Sequence, residues 1–577
     1  MLKTLSRVLI FPAVVCLIAG TIFAGENSAK KKKRSESSLE LKVVPWGPTQ
    51  TDVDAAIARA ERNPAVQNLL KGAKYRQIDF TFIETGGKTS VSVPPTRFRI
   101  GFYDYTNDRM IVADGDFAGK EPIIVNEDYY QPTPNDAEFN AAIALLEKDA
   151  RFASLLKKGT LNLFHPMPDI TVLEGTTERL VNIGLDARDT TGQNEVVSVS
   201  FKRGEVIRYD SGAPPASRAV PEACGIPNAG QATTSNGTAG QAQLTVMQNG
   251  GTIWEMLVIR PSASSGTRKS GIEVRDVKYR GKSVLKRGHV PVLNVQYAGG
   301  QCGPYRDWQW QEDMFQTPDS GNTDIAPGIR IVADGQTATT ALESGNDTGN
   351  FRGVAIYQQN VGFGPEIVLV TEMQAGWYRY IMEWRFAPDG TIRPRYGFGA
   401  TDNSCVCFVH HHHAYWRFDF DIVQPNNKVF RVERGRKFLT PISTELFENK
   451  NIQTNKSILI QNSAGDEAYA LVPNITDGVV DTFGRHDLWV LRYKFVSGGT
   501  NLQNEIDDGF NLTTSPNSFI QIDSFANNES VVNEDVVVWY GAHFVHDDTE
   551  NLLDPDRTAR VISGEHVVGP DLRPVRW

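Results

Sequence analysis

Residues 410–421 read HHHHAYWRFDFD, and this stretch is the strongest indication of the fold. Aromatic and charged residues alternate at 416–421, which is typical of a β-strand with one buried face. Shorter strand-like segments recur throughout residues 241–577, for example at 367–371 and 534–540, separated by Gly and Pro turns. Helical periodicity is hard to find in this region. The sequence therefore predicts a large antiparallel β-sandwich over residues 241–577.

Four consecutive histidines at the start of a strand are candidate metal ligands. Alternate side chains of a strand share a face, so the run can direct only two imidazoles at one ion. The two possible pairs are His410 with His412 and His411 with His413. A third ligand must come from a distant part of the chain, where His543 and His546 are the candidates. Imidazole nitrogens suit copper or zinc, and a solvated polar tract without function is the alternative interpretation.

The N-terminus has the pattern of an export signal. Lys3 and Arg7 precede an apolar stretch at residues 8–23, and small residues follow it. We expect a signal peptide at residues 1–24, cleaved near Ala24, and a basic linker at 25–43. A retained N-terminal anchor is the alternative, because the stretch is only slightly shorter than the ~20 residues that a membrane span needs. A secreted or periplasmic body would meet oxygen and copper(II), which favours copper for the histidine site.

Length and charge limit the classes of protein that fit this chain. A chain of 577 residues is far larger than one ordinary domain, so several folding units are expected. The content of 40% hydrophobic and 22% charged residues is that of a globular protein. The net charge of -9 argues against a nucleic-acid partner, because phosphate binding needs a basic surface.

A repeated pattern precedes the β-rich region. Each copy starts with apolar residues at helical spacing: Val53, Ile57 and Ala60 in the first copy, and Phe139, Ile143 and Leu146 in the second. Each copy then continues into strand-like segments, such as FRIGFY at 98–103. We predict two small α+β domains, at residues 44–130 and 131–226. A Gly, Ser, Thr and Asn-rich linker at 227–240 follows them.

The β-rich region resembles the catalytic domain of the copper amine oxidases, which oxidise primary amines with a quinone. The family's His-x-His motif with a following Arg is matched by His410, His412 and Arg417. The family's Asn-x-Asp segment, which ends in Trp and precedes a third histidine, is matched by NEDVVVW at 533–539 and by His546. The resemblance therefore implies that His410, His412 and His546 bind copper.

The resemblance also implies a cofactor made from the protein itself. The family converts a tyrosine to topaquinone, and the segment WRFAPDGTI at 384–392 identifies the matching residue as Tyr378. The chain departs from the family pattern on both sides of this residue. The family has Asn before it and an acidic residue after it, where this chain has Trp377 and Arg379. We expect Trp377 to crowd the cofactor and Arg379 to reverse a charge near it.

Three further residues resemble the family's catalytic groups. In the segment YRD at 305–307, Asp307 corresponds to the catalytic base and Tyr305 to the tyrosine that gates the substrate channel. Tyr297 resembles the tyrosine that hydrogen-bonds the cofactor oxygen. A carboxylate base needs partial burial to raise its pKa toward the working pH. The alternatives are Glu312 and Asp313 for the base and Tyr380 for the role of Tyr297.

A peripheral calcium-type site is also implied. Its ligands would be the carboxylates of Asp419 and Asp535 and the backbone carbonyls of Phe420 and Val536, because calcium prefers hard oxygen ligands. As a whole, the resemblance implies a homodimer that deaminates a primary amine to an aldehyde, with molecular oxygen as second substrate and release of ammonia and hydrogen peroxide. The alternatives are a copper-binding protein without the quinone and an oxidase that uses copper alone.

Overall fold

A computed structural model of the chain describes residues 39–83, 92–166, 170–173, 175–187, 195–209, 225–226, 240–266, 268–297, 305–319, 321–362, 364–401, 403–407, 409–433, 438–451, 456–478, 486–493, 518–546 and 567–577. The predicted signal peptide, most of the basic linker and nearly all of the 227–240 linker lie outside these residues. Within the described residues, no helix combines the length and the apolar character that crossing a membrane requires.

The first α+β unit follows a strand that belongs to the large sheet. The elements are β1 Glu40–Pro45, α1 Gln50–Glu61, α2 Pro64–Leu69, β2 Tyr75–Ile83, β3 Arg97–Asp104, β4 Arg109–Asp116 and β5 Ile124–Asp128. Thr49 begins α1 through a reciprocal capping box with Asp52. Strands β2 to β5 form a four-stranded antiparallel sheet. Helix α1 covers this sheet because Ala56 and Ala60 share a buried cluster with Phe98.

The second unit repeats this plan with different details. Its elements are α3 Asp136–Leu146, α4 Ala153–Lys157, β6 Leu161–Phe164, β7 Ile170–Val172, β8 Arg179–Ala187, β9 Glu195–Ser200 and β10 Glu205–Arg208. The strands pair in the order β10, β9, β8 and β6, with β7 also on β8. A buried ion pair between Arg179 and Glu138, with 2.7 Å between Nη2 and Oε2, ties β8 to α3. The helix predicted at the start of each copy is confirmed by α1 and α3.

Short strands dominate the rest of the chain. Its first half contains β11 Gln241–Gln248, β12 Gly251–Ile259, β13 Glu273–Tyr279, β14 Lys282–Tyr297, β15 Tyr305–Arg306, β16 Met314–Phe315, β17 Thr323–Ala326, β18 Ile329–Ile331, α5 Ala341–Ser344, β19 Phe351–Arg352, β20 Val354–Val361, β21 Gly364–Ala375, β22 Tyr378–Phe386 and β23 Ile392–Ala400. Its second half contains β24 His410–Phe420, β25 Asn426–Glu433, β26 Phe438–Ile442, β27 Leu446–Glu448, β28 Ser457–Asn462, β29 Ala468–Val472, β30 Leu488–Arg492, α6 Ser518–Phe525, β31 Glu534–His546, β32 Val567–Val568 and β33 Asp571–Arg576. Short 3-10 helices lie at Pro261–Ala263 and Ser404–Cys407.

One large sheet contains most of these strands and β1, which pairs with β11. Among the strands that the structure describes, its pairings are antiparallel except for the parallel pair of β18 and β20. The predicted fold class, a mainly β C-terminal region after two small α+β units, is confirmed. Leu39–Trp577 forms one compact unit, so the domain boundaries predicted after residues 130 and 226 stay predictions.

Two groups of strands in the large sheet pack face to face around the histidines of β24. Strand β24 lies between β14 and β31, whereas β22 lies between β21 and β23. The ring of Trp384 in β22 meets that of Trp416 in β24 edge to face, with centroids 5.4 Å apart. Both side chains are fully buried in the main hydrophobic core. Aromatic side chains at alternate positions of both strands therefore pack between the two groups of strands. Polar residues on the same faces are buried with them.

Candidate functional site

Strand β24 presents its histidines alternately to two faces. The face that packs on β22 is called the inner face, and the opposite one the outer face. His410 and His412 lie on the inner face, with ring centroids 4.9 Å apart, and both are buried. The ring of Tyr378, in β22, stands edge to face against His412 at 4.8 Å and lies 5.8 Å from His410. Strand periodicity thus brings the first and third histidines to the candidate cofactor tyrosine.

The distant histidines fall on different faces. In the antiparallel register of β24 and β31, His546 lies directly opposite His410, and His543 lies directly opposite His413. Cross-strand neighbours in such a pair share a face of the sheet. His546 therefore holds a position on the inner face, and His543 holds one on the outer face.

Tyr378 is held by a chain of hydrogen bonds. Its hydroxyl is hydrogen-bonded to the hydroxyl of Tyr297, which β14 places opposite His410. The indole Nε1 of Trp377 donates to the same Tyr297 oxygen over 3.0 Å. The Trp377 ring also packs edge to face on Phe164, the last residue of β6, with centroids 5.6 Å apart. Trp377 therefore supplies a donor and links the second α+β unit to the site, which its sequence position did not indicate.

The side chain of Arg379 lies on the opposite face of β22 from the Tyr378 ring, and its Nη1 donates to the backbone oxygen of Tyr378 over 3.0 Å. Alternation along β22 turns its side chain to the other face, where its guanidinium is paired with Asp347 and Asp313. The distances are 2.8 Å from Nη2 to Asp347 and 2.7 Å from Nε to Asp313. All three side chains are buried. The expectation that Arg379 reverses the charge near the cofactor is therefore wrong, because that charge is balanced by carboxylates on the opposite side of the strand.

Asp307 is the carboxyl group that contacts the buried tyrosines around Tyr378. Its side chain is buried, and the hydroxyl of Tyr380 donates to its Oδ2. The Tyr380 ring in turn stacks on that of Tyr378, with centroids 5.4 Å apart. Burial raises the pKa of Asp307 to about 7, although the Tyr380 hydrogen bond and the charge of Arg268 act to lower it. A pKa this close to neutral suits a general base, whose pKa should lie near the working pH.

The other two carboxyl candidates are engaged elsewhere. Glu312 accepts a hydrogen bond of 2.8 Å from Nε of Arg260 and another from the backbone N–H of Ser262. Asp313 is the partner of Arg379 described above. Tyr305 lies in β15, which pairs with the end of β14, and its side chain lies outside the described part of the chain.

Several solved structures are similar to this chain in fold. A copper-containing benzylamine oxidase from Hansenula polymorpha matches with a TM-score of 0.53 and 13% identity, over 92% of this chain and 97% of that one. An amine oxidase from Aspergillus nidulans matches with a TM-score of 0.54 and 13% identity, over 92% and 88%. A lysyl oxidase from Pichia pastoris gives 0.52 and 12%, over 92% and 90%. This chain has the fold of the copper amine oxidases. No protein-family model and no curated protein matches the sequence.

Within the copper amine oxidase fold, the donor set on the inner face suits copper. Two buried imidazoles lie 4.9 Å apart between ring centroids, and the register adds His546 at the neighbouring position of β31. Imidazole nitrogen is the ligand type that copper(II) and zinc prefer. The imidazoles of His410 and His412 therefore fit a copper ion, and the register places His546 at the position of a third ligand.

A group of carboxylates lies at the far end of β24. Carboxylate oxygens of Asp419, Asp421 and Asp535 lie within 4.8 Å of one another. Asp421 was not among the predicted ligands, although it follows Asp419 by two positions and alternation would have indicated it. Phe420 and Val536 are opposite each other in the β24–β31 register. Arg417 is a competing partner, because its Nη1 lies 3.5 Å from Oδ2 of Asp419.

Proposed function

We propose that this protein is an exported, copper-dependent oxidase that converts a primary amine to an aldehyde and releases ammonia and hydrogen peroxide. The proposal rests on one observation: a buried tyrosine, Tyr378, lies between the inner-face histidines and the Tyr380–Asp307 pair. The candidates for cofactor precursor, metal ligands and base thus meet in one buried site. The copper amine oxidase fold supports the same reaction class.

Each residue of the site has a role in this proposal. His410, His412 and His546 would hold copper, which with oxygen supplies the chemistry that turns Tyr378 into a topaquinone able to oxidise amines. Tyr297 holds the oxygen of Tyr378 through their hydrogen bond. Burial of Tyr297, Tyr378, His410 and His412 excludes bulk water from the reacting groups.

Asp307 would act as the general base. Its carboxylate accepts the proton from the carbon next to the amine nitrogen, which leaves the electron pair of that C–H bond for the cofactor. Tyr380 positions this carboxylate by donating to Oδ2. The same hydrogen bond favours the ionised form of Asp307, which offsets part of the effect of burial on its pKa.

The activity should depend on pH through this carboxyl group. Because a base must be ionised, kcat should rise about tenfold per pH unit at low pH and level off above the Asp307 pKa of about 7. Initial rates at saturating amine, taken between pH 5 and 9, measure this rise of kcat with pH in the enzyme–substrate complex. A kcat that stays flat from pH 5 to 8 would rule out Asp307 as the base.

A direct experiment tests the reaction itself. Copper-reconstituted, aerated protein is incubated with a series of primary amines, and hydrogen peroxide and aldehyde are measured. The matched control is Tyr378→Phe, which keeps the ring but lacks the oxygen on which the cofactor is built. We expect peroxide and aldehyde from the unaltered protein and none from the control. Equal release from both proteins would exclude the quinone route and favour an oxidase that uses copper alone.

A second candidate function is copper binding without a quinone. The departure from the family pattern beside Tyr378, where Trp377 stands in place of Asn, favours it. Such a protein would bind copper at the same histidines and give neither peroxide nor a reaction with hydrazines.

Three further properties belong to the proposal. Asp419, Asp421 and Asp535 would bind calcium together with the carbonyls of Phe420 and Val536, since hard oxygen ligands suit that ion. The protein would act as a homodimer after export through its N-terminal signal. Calcium is expected to raise the unfolding midpoint of the unaltered protein but not that of Asp535→Asn. Sedimentation is expected to give the mass of a dimer. A midpoint unmoved by calcium would contradict the first, and a monomer mass the second.

A further inference from the structure

The indole of Trp377 belongs to the hydrogen bonds that hold Tyr378. Its Nε1 donates to the hydroxyl oxygen of Tyr297 over 3.0 Å, and that hydroxyl is hydrogen-bonded to the hydroxyl of Tyr378. The three groups therefore form one chain, from an indole nitrogen through one phenol to the next. The indole has a fixed role in this chain, because its N–H can donate a hydrogen bond but cannot accept one.

The fixed end of the chain sets the direction of the bond between the two tyrosines. Considered by themselves, either hydroxyl can donate to the other. An oxygen that accepts the indole N–H is polarised so that its own hydrogen becomes a better donor, because hydrogen bonds in a chain strengthen one another. Two donors that share one acceptor oxygen gain no such strengthening. Donation from Trp377 to Tyr297 therefore favours donation from Tyr297 to Tyr378.

The indole is held in place through both its ring and its backbone. The ring packs edge to face on Phe164, with centroids 5.6 Å apart, and a Cβ at Gly184 would overlap the Phe164 ring. The backbone oxygen of Trp377 accepts a hydrogen bond of 2.7 Å from the backbone N–H of Thr401 and one of 3.1 Å from the Thr401 hydroxyl. The donor is therefore fixed by its surroundings, as a residue that orients a reacting group requires.

We propose that Trp377 is a positioning residue, which directs the hydroxyl hydrogen of Tyr297 toward the oxygen of Tyr378. The purpose of this arrangement rests on the proposed function. A quinone carbonyl has no hydrogen to give, so its hydrogen bond with Tyr297 requires Tyr297 to be the donor. Trp377 sets that direction while residue 378 is still a tyrosine, and the bond then keeps its direction when the ring is converted.

The indole NMR signals of the copper-free protein test the direction of the bond. Full-length protein is labelled with ¹⁵N-tryptophan, and the Trp377 N–H is the signal that Trp377→Phe removes. Tyr378→Phe keeps the ring but lacks the oxygen that accepts the hydrogen bond. Tyr297 then becomes a poorer acceptor, so the Trp377 proton should shift upfield. The indole proton of Trp254, which donates to the backbone oxygen of Ala387 over 2.8 Å, is the internal control and should not move.

The opposite results would overturn the proposal. A downfield shift would mean that Tyr378 had been a second donor to the Tyr297 oxygen, and an unmoved signal would mean that the hydrogen bonds are not coupled. If Trp377→Phe does not fold by circular dichroism, Tyr297→Phe identifies the same signal, because the indole then loses its acceptor. These measurements need no copper, so they decide the direction of the bond even if the proposed oxidation fails.

Turnover of the copper-loaded protein tests the positioning role. Trp377→Phe keeps an aromatic ring against Phe164 but lacks the N–H, and should lower the rate of amine oxidation by on the order of five- to tenfold. The same change in a Tyr297→Phe background should cause no further loss, because Trp377 acts through that hydroxyl. An unaltered rate in Trp377→Phe, or an equal further loss in the double variant, would overturn the positioning role.

Discussion

Asp307→Asn is expected to lower kcat for amine oxidation by on the order of 10²–10⁴-fold and to leave the cofactor in place. Asparagine has nearly the same shape and can still accept the hydrogen bond of Tyr380, but it cannot take a proton. The buried carboxyl is therefore replaced with little change in packing. Steady-state kinetics measure the loss, and titration with phenylhydrazine counts the cofactor in the same sample.

Tyr380→Phe is the matched control for this prediction. It keeps the stacked ring but removes the hydroxyl that stabilises the ionised form of Asp307. The pKa of Asp307 should then increase further, because the hydrogen bond that lowers it is lost. The rising limb of kcat should move to higher pH, with a smaller loss at its plateau than in Asp307→Asn. If Asp307→Asn retains the full rate, another group must take the proton.

His412→Ala is expected to abolish both copper binding at the inner face and any reaction with phenylhydrazine. The imidazole is buried against Tyr378 and Phe398, so alanine removes one metal ligand and leaves a cavity beside the tyrosine. The proposed function requires copper for processing of the tyrosine, so the amine-oxidation rate should fall to background.

His411→Ala is the adjacent control. It removes an imidazole from the same tract, but on the outer face, where it is partly exposed. Copper at the inner face, the hydrazine reaction and the oxidation rate should all remain. A protein with His412→Ala that keeps inner-face copper and its hydrazine reaction would show that His412 is not a ligand.

Much of this arrangement follows from short-range sequence patterns. The two-residue period of a strand divides four adjacent histidines between two faces, and the structure has both sets. The same period applied to β22 would have turned the Arg379 side chain to the face opposite the Tyr378 ring. Applied to the end of β24, it would have added Asp421 to the carboxylates. Those two errors came from family resemblance taken position by position, without the direction of each side chain.

Contacts between distant parts of the chain could not be predicted in this way. The hydrogen bond from Tyr380 to Asp307 and the packing of Phe164 on Trp377 each join segments that no local pattern connects. They depend on how β22 packs against its neighbours and on where the second α+β unit lies. For the same reason the partners of Glu312 and Asp313, Arg260 and Arg379, were not evident from the sequence.

The state of Tyr378 in copper-loaded, aerated protein tests the proposed function most directly. Peptide mass spectrometry before and after treatment with phenylhydrazine locates any modification on this residue. The proposed site predicts that Tyr378 carries the mass of topaquinone and forms a hydrazine adduct in every chain that holds inner-face copper. An unmodified Tyr378 without an adduct, in protein with its inner-face copper bound, would contradict it.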